Sequence, residues 1–272
     1  MKTLFISDLD GTLLHSNEKI SQYTCDVINK LTESGVMFSY ATARSFVTAC
    51  KVTAGLNAKI PLIIYNGAFI VENCTGKVML SNYFTNEARG VIEQLLAGGV
   101  VPIVYAYIDG VEKFSFVFDK CSCGMKAFLF SRTGDIRANS VADICQLYNG
   151  DIFYITCIDE EKKLKPFYDK YKADFNCVYQ RDIYSGEQWL EIMPKSTSKA
   201  NAVMSLKKHL NAQKVVVFGD GRNDIDMFKV ADESYAVKNA VDDLKNIATG
   251  VIDMNDNDAV AKWLKENIGV IS

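Results

Sequence analysis

Asp8-Leu9-Asp10-Gly11-Thr12-Leu13-Leu14 follows directly on the apolar run Leu4, Phe5 and Ile6. The run reads as a buried strand, and Gly11-Thr12 as the turn that ends it. Two carboxylates at i and i+2 therefore stand at the carboxyl end of a central strand, the end at which open α/β sheets bind ligands. Acids there, with no basic neighbour in sequence, are costly unless a cation or a proton offsets them. The stretch reads either as chemistry, with a nucleophile or metal ligand and a second acid two residues on, or as a solvated Asp-Gly turn.

Outward from it, the same pattern of strand and punctuation repeats. Residues 36–41 form an apolar run into Thr42-Ala43-Arg44-Ser45, residues 61–65 stop at Asn66-Gly67, and residues 214–218 end at Gly219-Asp220-Gly221-Arg222-Asn223-Asp224. Helical spacing over 21–31, from 45 to about 53, over 197–210 and over 225–229 alternates with these runs, and 234–237, 241–248 and 258–266 complete the sheet and its covering helices. Strand–helix alternation of this kind predicts parallel βαβ units, hence an α/β fold with a doubly wound, Rossmann-like sheet. In between, the pattern changes. Helices at 87–96, 120–130 and 160–171 (the last spanning Pro166) mix with strands at 100–107, 111–118, 152–156, 175–179 and 188–193, and Pro194 closes the segment. Asp109-Gly110 is a hairpin signal. Phe114, Phe116 and Phe118 share a face and read as core. The expected organisation is a discontinuous core of residues 1–82 and 192–272, with an α+β cap domain, residues 83–191, inserted into it.

Composition narrows the function classes. With 272 residues, 49% of them hydrophobic, the chain has material for two ordinary cores. A net charge of −3 offers no electrostatic footprint for nucleic acid or an anionic membrane. No apolar run reaches the length of a bilayer span, and the opening run is too short for a signal peptide, so a cytoplasmic location is expected. The eight cysteines are scattered, and Cys121-Ser122-Cys123 lacks the second pair of a zinc site, so they read as reduced thiols. His15 and His209 fall outside the punctuation pattern and read as surface residues.

The residues just past the parallel strands are Asp8, Asp10, Thr42, Asn66, Asp220, Asn223 and Asp224. A parallel sheet gathers them at one edge: four acids, a hydroxyl and two amides, without histidine. Oxygen donors alone point to Mg2+, and magnesium so held usually serves phosphate chemistry. A carboxylate that attacks phosphorus forms an acyl phosphate and divides a hard step in two. Its charge repels the phosphate, so magnesium held by Asp8 and Asp220 would bridge them. Lys199 would supply a second positive charge, Thr42 a hydroxyl donor, and Asp10 the acid that protonates the leaving alkoxide and later activates water.

At this point the residues match a family. Asp8-Leu9-Asp10-Gly11-Thr12, Thr42 in Ala41-Thr42-Ala43-Arg44, Lys199 in Ser198-Lys199-Ala200-Asn201-Ala202, and Gly219-Asp220-Gly221-Arg222-Asn223-Asp224 with Met227 occur in the order of the four motifs of the haloacid dehalogenase superfamily. The chain resembles its Cof-type (subfamily IIB) sugar-phosphatase branch, as do Asn66-Gly67-Ala68 and Ala236-Val237-Lys238-Asn239-Ala240. The resemblance implies Asp8 as nucleophile and Asp10 as general acid/base. It implies magnesium on the Asp8 side chain, the Asp10 carbonyl and Asp220, with Asp224 acting from behind them. Thr42, Ala43, Arg44, Asn66, Lys199 and Asn223 would line the phosphate. An acid at position 10 separates the phosphatases and mutases from the dehalogenases and the P-type pumps. The family usually has Gly where Ala43, Ala200 and Ala259 stand, and any of these needing positive φ would shift its loop.

The expected activity is hydrolysis of a small-molecule phosphate ester, a sugar phosphate or related metabolite, by a monomer or weak homo-oligomer whose cap opens and closes. The alternatives are a phosphomutase and a non-enzymatic phosphate-binding regulatory protein. Three lesser candidates stand apart. The stretch Asp253-Met254-Asn255-Asp256-Asn257-Asp258 opens like a calcium loop, but Asp258 and Leu264 occupy the positions that need Gly and Glu, so it reads as an acidic turn. Arg44 reads equally as a phosphate contact and as the partner of a core carboxylate. Arg181, Tyr184 and Glu187 lie near the end of the insert, as substrate contacts or as a solvated hairpin.

Overall fold

The computed structural model describes residues 2–57, 59–181 and 186–268. They form two compact units, Met1–Ser81 with Thr197–Ser272, and Asn82–Ser196. The first is built on a parallel five-stranded sheet in the order Gly250–Ile252, Glu233–Val237, Lys214–Gly219, Thr3–Ser7, Met37–Tyr40. Ser7 lies level with Phe218 on one side and Tyr40 on the other, so the loops carrying Asp8, Asp220 and Thr42 leave the sheet at one height.

Both faces of this sheet are buried, which is why its strands read as continuous apolar runs rather than alternating ones. Leu4, Ile6, Val215 and Val217 pack with Val203 and Leu206 of the helix Lys199–His209 and with Met227 and Phe228. On the other face Trp263, from the helix Ala259–Ile268, meets the rings of Tyr235, Phe218 and Phe5 at centroid distances of 4.4, 5.2 and 6.4 Å. Serine caps start three of the helices next to the sheet. Ser21, Ser45 and Ser198 accept from the amides of Thr24, Thr48 and Asn201, which leaves Lys199 in the first turn of its helix.

One expected element behaves differently. Leu62–Ile64 joins the parallel sheet only through a bridge from Ile63 to Ala41, and pairs instead with Phe69–Val71, itself paired with Val78–Ser81, in a small antiparallel sheet. The reason is the reversal just after it: Tyr65, Asn66 and Gly67 all have positive φ (51°, 52° and 96°), which turns the chain straight back. The Asn-Gly turn was legible; the two short strands after it, and Gly250–Ile252, were not.

The second unit carries a six-stranded sheet in the order Asn176–Arg181, Gln188–Met193, Asp151–Asp159, Ile103–Ile108, Val111–Phe116, Ala138–Ser140, antiparallel except for the last pair. The helices Glu87–Ala97 and Glu161–Tyr171 bury Ile92, Leu95 and Leu164 against Val104, Ile155, Leu190 and Ile192. Pro166 lies inside the second of these helices. Asp109 and Gly110, with φ of 51° and 78°, make the tight hairpin that their sequence signals. Phe114 and Phe116 are buried and stacked, whereas Phe118 lies in the turn beyond the strand and is half-exposed. All eight cysteines are free. Among the described residues no helix is long and apolar enough to cross a membrane.

Candidate active site

Ser7 ends its strand, and the Asp8 amide still donates to the Phe218 carbonyl (2.9 Å), so Asp8 leaves the sheet beside the Lys214–Gly219 strand. The next residues close a wide turn, with Leu14 N–H on the Leu9 carbonyl and Gly11 at φ 75°. Gly11 is required twice over: a Cβ there would lie 2.5 Å from an Asp220 carboxylate oxygen. Thr12 Oγ1 donates to Asp220 Oδ1 (2.9 Å), which links the first acidic loop to the second.

Lys199 lies at the centre. Its Nζ donates to Asp8 Oδ1 at 2.5 Å and to Asp224 Oδ1 at 2.7 Å, with Lys199 1% and Asp224 0% exposed at the side chain. An ammonium in the first turn of a helix opposes the helix dipole, so the position is tenable only because the two carboxylates face it. Burial works against the charge on Lys199, and Asp224 and Asp8 more than reverse this, leaving its pKa raised. Asp224 Oδ2 takes the amides of Asp220 and Gly221 (3.1 and 3.0 Å), so this carboxylate holds both the lysine and its own loop. A Cβ at Gly219 would fall 2.7 Å from the same oxygen, which is why glycine precedes Asp220.

Positive charge is short in this cluster. Asp8, Asp220 and Asp224 each present a carboxylate oxygen within 4.8 Å of the others, against one lysine. Burial, opposed by Lys199 and reinforced by Asp224 and Asp220, holds the Asp8 carboxyl well above the usual carboxylate range. Burial, then the charge of Asp224, pushes Asp220 up to about 7. A divalent cation would relieve that excess, and a donor set of oxygens alone fits a hard ion.

Thr42 is fully buried. Its amide donates to the Ile63 carbonyl, its hydroxyl accepts the Arg44 amide (3.0 Å), and its carbonyl accepts the Asn66 amide. Asn223 Nδ2 reaches Asn66 Oδ1 at 3.3 Å, so Thr42, Asn66 and Asn223 converge from three loops. Gly67 sets the last connection: with φ 96°, a Cβ would lie 2.2 Å from the Ser198 carbonyl oxygen, at the cap of the Lys199 helix.

The side chain of Asp10 points to Arg44. The guanidinium grips it through Nε (2.9 Å to Oδ2) and Nη2 (2.6 Å to Oδ1), and Nη2 also meets Glu18 Oε2 at 2.9 Å. The guanidinium thus pairs with a carboxylate, and the hydrogen bond to Asp10 raises its pKa further. Glu18 carried no signal in the sequence, since its part depends on a turn that gives it φ 58°. Ala43, Ala200 and Ala259 are not among the residues with positive φ, so alanine there imposes no shift of the loops.

His15 is not the plain surface residue expected: its Nε2 lies 2.9 Å from Asp258 Oδ1. His209 ends the Lys199–His209 helix. In the second unit Arg181 pairs with Glu161, and Glu187 packs beside Gly124. Tyr184 lies outside the described residues.

Residues 5–264 match the family model described as haloacid dehalogenase-like hydrolase. A Bacillus subtilis protein named 5-amino-6-(5-phospho-D-ribitylamino)uracil phosphatase is 26% identical, over 98% of both chains. A Thermotoga maritima crystal structure superposes with a TM-score of 0.77 at 26% identity, covering 100% of this chain and 98% of its own. A B. subtilis haloacid dehalogenase-like hydrolase superposes with a TM-score of 0.79 at 21% identity, covering 98% of this chain and 100% of its own.

Proposed function

This chain belongs to the haloacid dehalogenase-like hydrolases, and on that premise we propose that it is a magnesium-dependent phosphatase of small phosphorylated metabolites, sugar phosphates foremost, working through an aspartyl phosphate. The observation that carries the reading is the buried Lys199 ammonium held between Asp8 and Asp224, with Asp220 alongside and one positive charge too few. A B. subtilis relative is named a phosphatase of 5-amino-6-(5-phospho-D-ribitylamino)uracil, whose phosphate is on a ribityl group, which supports a small phosphorylated metabolite as substrate.

Asp8 Oδ attacks phosphorus, the P–O bond to the leaving group breaks, and Asp10 supplies the proton to the departing alkoxide. Asp10 then takes a proton from the water that opens the acyl phosphate, which regenerates Asp8 and releases phosphate. Lys199 offsets charge on Asp8 and the transferring group. Thr42 and Asn223 donate to phosphoryl oxygens, with Asn66 and the Ala43 backbone beside them. Asp8 and Asp220, with the Asp10 carbonyl that the family resemblance adds, would hold Mg2+, which when bound would draw off negative charge from the phosphate, and Asp224 acts from behind through Lys199 and the 220–221 amides. Arg44 orients the Asp10 side chain.

The test is hydrolysis of an aryl phosphate, followed by a panel of phosphorylated metabolites. The expected result is turnover that needs magnesium, is abolished in Asp8→Asn, and is lost in Asp10→Asn while substrate still binds. Turnover indifferent to magnesium, or retained by Asp8→Asn, sinks the reading.

A further inference from the structure

A segment far along the chain grips both acidic loops. Asn239 Nδ2 donates to the Gly11 carbonyl at 2.7 Å, and two residues on the Val241 amide donates to the Asp220 carbonyl at 2.9 Å. With Thr12 Oγ1 on Asp220 Oδ1, these bonds close a ring: Gly11 and Thr12, across to Asp220, on to Val241, back through Asn239 to Gly11. Within that ring the acidic loops have little freedom to part or slide.

The Asn239 amide is itself oriented. The Asn255 amide donates to Asn239 Oδ1 at 3.1 Å, which leaves the nitrogen of Asn239 to face Gly11. The Asn255 side chain, 4% exposed, donates to the Leu14 carbonyl at 2.9 Å, so Asn255 holds the far end of the same loop. The short turn of Asn255 is anchored from its other side. His15, Ser21 and Thr24 all bond Asp258 Oδ1, and Ser16 bonds both oxygens of Asp256.

We infer that Asn239, oriented by Asn255, is a positioning residue that sets the spacing between the loop of Asp8 and Asp10 and the loop of Asp220. Asn239 touches neither reacting carboxylate; it acts through the Gly11 carbonyl. The consequence is a tuned distance between the groups that share the cation. The kinetic part of this inference rests on the phosphatase reading, and the geometric part does not.

The experiment uses the full chain and three variants: Asn239→Asp, Asn239→Ala and Asn255→Ala. Asn239→Asp keeps the shape and the oxygen that receives the Asn255 amide, but sets a carboxylate oxygen against the Gly11 carbonyl. In the metal-free chains, amide hydrogen exchange should quicken over residues 9–14 and 220–224, with the Lys214–Gly219 strand and the second unit unchanged. Magnesium binding, titrated by calorimetry, should weaken about tenfold, as expected for one lost hydrogen bond. For an aryl phosphate kcat should fall about tenfold or more with KM nearly constant, whereas general loosening would move melting temperature and both constants together. Asn255→Ala should show the same pattern more weakly, and it carries the test if Asn239→Asp does not fold. Wild-type exchange and magnesium affinity in Asn239→Asp or Asn255→Ala overturn the inference, as does exchange quickened throughout the chain. An inactive wild-type protein would sink the phosphatase reading, while exchange and magnesium affinity would still decide the clamp.

Discussion

Replacing Lys199 by methionine removes one ammonium and keeps most of the side-chain volume. It leaves Asp8 and Asp224 facing each other without their shared cation, in a place where the lysine was 1% and Asp224 0% exposed. Breaking a buried pair from one side costs about 3–5 kcal/mol, since the charge left behind stays desolvated. For a unit of this size 1 kcal/mol moves the melting temperature by about 2–4 °C, so the loss should be about 6–20 °C at pH 7.5. The size should depend on pH with a definite sign. Without the lysine, and with no metal bound, protonation is the way left to neutralise Asp8 or Asp220, so the folded variant takes up a proton that the unfolded chain releases. Its deficit therefore shrinks as pH falls towards 5.5 and grows above neutrality. Magnesium should recover part of the loss by binding the same carboxylates, with the concentration dependence of a ligand selective for the folded state. Turnover should fall by at least about a hundredfold, the scale for loss of one preorganised charge donor. The assay is differential scanning fluorimetry of both chains from pH 5.5 to 8.5, with and without magnesium. A variant melting within 2 °C of wild type across that range would refute the assignment of Lys199 as the counter-charge of this cluster.

Gly67→Ala should destabilise by about 2–4 kcal/mol, read from denaturant midpoints, and lower kcat as well, because its Cβ would meet the Ser198 carbonyl oxygen at 2.2 Å and push on the cap of the Lys199 helix; a wild-type kcat would show that Gly67 does not set the lysine. Burial lifts the Glu191 carboxyl of the second unit from 4.5 to about 7, against a hydrogen bond from Tyr154 that lowers it. The folded chain thus holds a proton there that the unfolded chain has lost. Stability should fall as pH rises from about 4.5 to about 7, by up to about 3 kcal/mol and nearer 2 given the residual exposure of Glu191. Glu191→Gln should flatten that slope, and parallel melting curves of the two chains against pH would contradict it.

The sequence by itself determined the architecture of the first unit and the place of its chemistry. Apolar runs buried on both faces cannot alternate, so Leu4, Phe5 and Ile6 or Val215, Val216 and Val217 announce parallel strands, and polar residues just past them must lie along one edge. For the same reason Asp8, Asp10, Thr42, Asn66, Asp220, Asn223 and Asp224 were legible as a set, whereas Lys199, in the first turn of a helix, was legible from the charge the chemistry needs and from its motif. What the tertiary structure decided was the pairing within that set. Lys199 bridges Asp8 and Asp224, Asp10 turns to Arg44 and Glu18, and the two acidic loops are tied through Thr12, Asn239 and Val241. The difference has a physical origin: hydrophobic periodicity is a local property written every two or four residues, whereas a hydrogen bond between Asn239 and Gly11 joins a side chain and a carbonyl 228 residues apart in sequence. The two short strands after Asn66-Gly67 show the same limit from the backbone side. The pairing of the first of them with Leu62–Ile64 follows from three successive positive φ angles, and the apolar content of Leu62–Ile64 alone is equally suited to a parallel or an antiparallel neighbour.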